Sequence, residues 1–150
     1  MPELQDLYQE VILEHNKSPR NFRVMETANR TAEGFNPLCG DHYTVFLDVT
    51  DNAIRDLSFQ GTGCAISKAS ASMMTQILKN KTLAEAEEVF NQFRHIVTGK
   101  AASDEISLGK LGKLAAFAGV SGFPSRVKCA TLAWHTLHAA LHGKQVASTE

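Results

Sequence analysis

The hydrophobic period changes near Gly61, and this change limits the choice of fold more than any other feature of the chain. Val45, Leu47 and Val49 take one set of alternate positions while Thr44, Phe46 and Asp48 take the other, and Leu57 and Phe59 continue the alternation past an Asp51-Asn52 turn signal. That pattern predicts a hairpin, and a further strand is expected between about Asn29 and Phe35. After Gly61 the period is helical: Ile66, Ala69, Met73 and Ile77 form one stripe, and Leu83, Ala86, Phe90, Phe93 and Val97 another. The second helix begins at a Thr82/Glu85 capping box and closes at Gly99. Residues 100–112 read as a loop leading to a short helix near Leu111 to Ala118. A last helix enters at Pro124, turns Val127, Ala130, Trp134, Leu137 and Leu141 inward, and ends at Gly143. An amphipathic first helix over residues 2–16, with Leu4, Leu7, Val11 and Ile12 apolar, stops at "KSPRN". Strands followed by helices predict an α+β domain spanning residues 1–150, its antiparallel sheet covered by helices on one face.

Composition narrows the function. Fifteen basic against sixteen acidic residues leave a formal charge of -1, which argues against a nucleic-acid partner. "MPELQDLYQEV" lacks the positive segment and apolar run of a signal peptide, and no stretch approaches membrane-spanning length, so the expected location is the cytoplasm, with no membrane partner. Thiols stay reduced there, and an odd count of three cysteines argues against a disulfide framework. Metal binding and thiol chemistry are left.

Each cysteine falls at a boundary between predicted elements. Cys39 lies in the turn "NPLCGD", Cys64 in the first turn of the small-residue helix, and Cys129 in the first turns of the last helix. Helix starts favour a thiolate through free N–H groups and the dipole, whereas structural cysteines usually fill an inward stripe. Three thiolates and the Asp41 carboxylate, two residues from Cys39 across a glycine, would complete a tetrahedral set for zinc. The separations match none of the short-spaced zinc-finger patterns, so spacing by itself leaves the shared site open.

Three stretches carry a resemblance: Asn36 to Asp41, "GTGCAISKASASMMT" from Gly61 to Thr75, and "FPSRVKCATLAW" from Phe123 to Trp134. With the first helix, they resemble the IscU/SufU family of iron–sulfur cluster assembly proteins over nearly the whole chain. The resemblance implies a three-stranded antiparallel sheet with helices against one face. It also implies an exposed metal or cluster site at Cys39, Asp41, Cys64 and Cys129. Lys128 stands where the scaffold branch has a histidine, "GFPSRVK" replaces its chaperone-recognition context, and the segment between the second and third cysteines is long. These features resemble the SufU branch, which binds zinc and accepts sulfur from a SufS-type cysteine desulfurase. Such a branch implies that a partner histidine frees Cys39 to accept the sulfur, since the Gly-flanked loop can swing while helices hold Cys64 and Cys129. Downstream iron–sulfur assembly proteins are further expected partners. A scaffold that assembles and transfers an iron–sulfur cluster would use the same ligands.

Several other residues have plainer readings. Arg126 resembles a family arginine that pairs with the ligand aspartate, and reads equally well as a solvated charge. His42 should point away from the side Asp41 faces, Met73 and Met74 read as core filler, and Lys68 and Lys128 as surface charges. His135, His138 and His142 read as a solvated face at a helix end rather than a metal cluster.

Overall fold

Two residues with left-handed backbone, Asp51 (φ 52) and Asn52 (φ 62), close the hairpin as the alternation demands. A computed structural model describes residues 2–37, 40–99, 117, 120 and 122–148, with backbone alone for 2–8 and 148. The hairpin pairs β2 (Asp41–Thr50) with β3 (Ala53–Thr62), and β1 (Arg30–Asn36) lies antiparallel on the other side of β2. The register sets Asn36 opposite Asp41 and His42 opposite Thr62, so the ends of all three strands meet at one margin of the sheet.

A fourth strand, β4 (Val146–Ser148), runs parallel to β1, giving the order β3-β2-β1-β4. The sheet is therefore four-stranded and mixed rather than three-stranded and antiparallel. Three residues beyond Gly143 are too few to show a period; β4 pairs by its backbone with Glu33 to Phe35, with Val146 exposed and Ala147 packed against the core.

Four described helices build the covering layer: α1 (Pro2–Lys17), α2 (Ala65–Leu78), α3 (Leu83–Val97) and α4 (Pro124–Leu141). The α+β class and the one-sided cover hold, since Tyr43, Val45 and Leu47 are buried while His42 on the opposite face is exposed. Gly34 lets α4 approach β1 closely, because a Cβ there would lie 1.8 Å from the Thr136 hydroxyl. The Thr82/Glu85 capping box forms as expected. The short helix expected near Leu111 to Ala118 and the loop before it lie outside the described residues apart from the buried Phe117, and so do the side chains of Leu4 and Leu7.

Helix α2 departs from the simple stripe. Ile66 and Ile77 are only partly buried, whereas Ser67, Ser70, Ser72 and Thr75 are buried beside Ala69, Met73 and Met74. Buried hydroxyls need partners, and two of these, Ser70 and Ser72, bind neighbouring helices. Ser70 donates to the Ala130 carbonyl at 2.5 Å and accepts the Trp134 indole N–H at 3.0 Å, which fixes α2 against α4. Ser72 lies 2.7 Å from the buried His15 imidazole and accepts the Arg20 backbone N–H at 2.8 Å, which fixes α2 against α1.

Candidate metal centre

Asp41 is the first residue of β2 and points to the covered face, so its carboxylate is only 2% exposed. Burial of a carboxylate demands donors. The backbone N–H of Cys64 supplies one to Oδ1 at 2.9 Å, and the Asn36 amide, across the strand pair, supplies one to Oδ2 at 3.3 Å. The same amide lies 3.5 Å from the sulfur of Cys129, so Asn36 spans two of the expected ligands.

Cys64 is the N-cap of α2, and its sulfur accepts the Ser67 backbone N–H at 3.4 Å. Its thiol is pulled down to about 6, first by a hydrogen bond with the Cys129 side chain; burial opposes the shift, and the Ser67 backbone and side chain reinforce it. A thiolate is thus favoured at neutral pH. Cys129 is the sixth residue of α4, beyond the free N–H groups of the first turn, and is buried. The helix-start argument made for both thiols therefore holds for Cys64 alone. Cys129 reaches the site because Ser70 grips the carbonyl of the residue beside it.

One ligand atom from each of Asp41, Cys64 and Cys129 lies within 4.8 Å of the others, and Cys64 Sγ is 3.9 Å from Asp41 Oδ2. Two soft sulfur donors and one carboxylate oxygen are a donor set suited to zinc. The space between them fits as well: a Cβ added at Gly63 would lie 2.5 Å from the Tyr43 hydroxyl, 2.6 Å from Ser67 Oγ and 2.7 Å from Asp41 Oδ1. Tyr43 forms the floor, its phenol pushed up to about 12 by burial and its oxygen 3.0 Å from that of Ser67. Cys39 lies outside the described residues, between Pro37 and Gly40. Gly40 (φ 74) donates its N–H to the Asn36 carbonyl at 2.9 Å.

His42 is exposed, stacks on Phe35 and lies 3.2 Å from Glu33, on the face away from Asp41 as expected. Arg126 is exposed with its guanidinium over the Phe123 ring, and no ion pair with Asp41 is found among the described residues. Its solvated reading stands. Asn36, Tyr43, Ser67 and Gly63 escaped the sequence reading; only the alternation that turns Asp41, Tyr43 and Val45 to one side could have pointed to any of them. His138 and His142 are partly exposed at the helix end, as the solvated reading expects, and converge there with Glu87, while His135 packs edge-on against Phe90.

A model of the NifU-like N terminal domain family matches residues 7–143. A Bacillus subtilis (strain 168) protein named zinc-dependent sulfurtransferase SufU is 41% identical over 89% of this chain and 88% of its own length. A Streptococcus pyogenes serotype M1 protein named iron–sulfur cluster assembly scaffold protein IscU is 34% identical over 94% of this chain and 86% of its own. A solved structure from Fervidobacterium islandicum AW-1, described as a candidate cluster assembly scaffold for the SUF system, superposes with a TM-score of 0.81 at 35% identity. The match covers 90% of this chain and 96% of that one.

Proposed function

This chain belongs to the NifU-like N-terminal domain family, and from that membership and the Asp41–Cys64–Cys129 cluster we propose that it is a zinc-dependent sulfurtransferase of iron–sulfur cluster biogenesis. It takes sulfur from a SufS-type cysteine desulfurase in the cytoplasm, acting as a single domain. The observation that carries this reading is the meeting of two thiols and a buried carboxylate in a chain 41% identical to a protein named for that activity.

Cys64, Cys129, Asp41 and Cys39 are the proposed zinc ligands. Bound zinc would hold its thiolates deprotonated and supply a redox-inert centre. Cys64 is already disposed to ionise through its bond with Cys129. Asn36 and the Cys64 N–H keep the Asp41 carboxylate aimed at the two sulfurs. Cys39 is the sulfur acceptor. Its thiolate attacks the terminal sulfur of the desulfurase persulfide; a new S–S bond forms on Cys39 as the old one breaks, and the desulfurase cysteine leaves as a thiolate that takes up a proton. The sulfane sulfur moves without net oxidation or reduction.

An apolar groove lined by Gln9, Ile12, Leu13, Ile66 and Arg126 suits the desulfurase as its docking face. Two of its lining residues are near the thiols in sequence: Ile66 follows Cys64 by two residues, and Arg126 lies in the first turn of the helix that carries Cys129. Leu13 is 71% exposed there.

Mixing the chain with a SufS-type desulfurase should accelerate cysteine turnover, and Cys39→Ser should abolish the acceleration; unchanged turnover with that variant rejects the assignment of Cys39. The scaffold reading draws on the relatives named IscU. Reconstitution with iron and sulfide separates the two, since a cluster carrier absorbs in the visible and a zinc protein is colourless.

A further inference from the structure

We propose that Glu87, His138 and His142 form a second metal site, which binds one divalent ion of the zinc, nickel or copper class. Nε2 of His138 lies 2.8 Å from one Glu87 oxygen, and Nε2 of His142 lies 3.8 Å from the other. One donor atom from each of the three residues falls within 4.8 Å of the rest. The i, i+4 spacing puts both imidazoles on one face of the end of α4, with ring centroids 4.4 Å apart, while α3 presents the carboxylate from the side.

The geometry is close to what such an ion needs. Metal–ligand bonds of about 2.0–2.2 Å in a tetrahedron place donor atoms roughly 3.3–3.6 Å apart, between the two observed separations, which run to different Glu87 oxygens. Small rotations of half-exposed side chains close the difference. Phe90 restrains one of them, stacking on the His138 ring with centroids 4.9 Å apart. Two imidazole nitrogens and one carboxylate oxygen, with no thiolate, select borderline transition ions over calcium or magnesium. Three protein donors leave a position for water, which makes this an open site. From Cys129 to His138 helix α4 rises about 14 Å, so one ion cannot serve both clusters.

The test counts metal in the full, untagged chain. After equilibrium dialysis against zinc, the wild type should hold two equivalents and His138→Gln/His142→Gln one. Cobalt(II) identifies the ligands: added to protein whose cysteine site is already filled with zinc, it should give weak ligand-field bands with no sulfur-to-metal charge transfer, and the double variant should lose them. Cys64→Ser/Cys129→Ser should keep one equivalent, so a failed cysteine site leaves this count intact. If that variant does not fold, the zinc-loaded cobalt experiment decides alone. A single equivalent in the wild type that the histidine variant retains would make the cluster an ion pair only and overturn the proposal, as would two equivalents in the histidine variant.

Discussion

Replacing Gly63 with alanine tests the metal centre with the least disturbance elsewhere. The new Cβ would sit 2.5 Å from the Tyr43 oxygen, 2.6 Å from that of Ser67 and 2.7 Å from Asp41 Oδ1, where ordinary contact begins at 3.4 Å. These groups must together retreat by roughly 0.7–0.9 Å, several times the ±0.2 Å that defines a competent ligand position. Tyr43 is fully buried against Phe59 and has little room to yield. The strain therefore falls on Ser67 and on Asp41 Oδ1, the oxygen that takes the Cys64 N–H. Displacing a group that orients a ligand costs about 10–100-fold in metal affinity, equal to about 1.4–2.8 kcal/mol. Gly63 does not use left-handed backbone and is exposed, so the chain should fold, with an overpacking cost of about 1–3 kcal/mol. Competition against a chromophoric chelator measures the zinc affinity, and circular dichroism reports the fold. Gly122→Ala, with nothing within 4 Å of its new Cβ, is the neutral control. Wild-type zinc affinity in a folded Gly63→Ala variant would refute the placing of Asp41 among the ligands.

Three other outcomes are expected. Ser70→Ala strands the buried Trp134 indole N–H and removes the bond to the Ala130 carbonyl, which should cost about 1–3 kcal/mol; thermal melts within error of wild type would contradict this. In metal-free protein the Cys64 thiol sits near 6 instead of 9.0, so its thiolate persists as pH falls until about 6. Alkylation followed by peptide mass spectrometry should show half-maximal labelling of Cys64 near that pH, and a midpoint near 9 rejects the Cys64–Cys129 hydrogen bond as its cause. Leu13→Glu should abolish desulfurase stimulation while zinc content stays at the wild-type level, because Leu13 is exposed in a groove whose lining includes none of Asp41, Cys64 and Cys129; full stimulation would move the docking face elsewhere.

What the sequence made legible was local. The hairpin could be read because Val45, Leu47, Leu57 and Phe59 keep one face apolar and Asp51-Asn52 tolerates positive φ. The α3 entrance could be read because Thr82 and Glu85 satisfy each other within one turn. Strand β4 was not legible, because three residues are too few to show a period and its backbone pairs with the edge of β1, far away in sequence. The burial of Ser67, Ser70 and Ser72 was also hidden: hydroxyls on an apparently polar face become interior only when their partners on β2, α4 and α1 are in place. The same holds for Asn36, an ordinary turn residue in sequence that spans Asp41 and Cys129 once β1 pairs with β2.

The meeting of Cys64 with Cys129 accordingly depends on the register of two helices. Cys64 belongs to α2 and Cys129 to α4, and no backbone hydrogen bond of a shared element sets their separation. Ser70 does so from one side, by gripping the residue that follows Cys129. Ser72 and Thr75 act on the other side: Ser72 holds His15, and Thr75 accepts from the Asn21 amide at 2.9 Å, tying α2 to α1 and the segment after it. Helix α1 contributes Ile12 and Leu13 to the proposed docking groove. A single helix of buried hydroxyls thus fixes the thiols to each other and both to the surface where a sulfur donor would arrive. Polar side chains suit that task, because a hydrogen bond specifies one register while an apolar contact tolerates sliding.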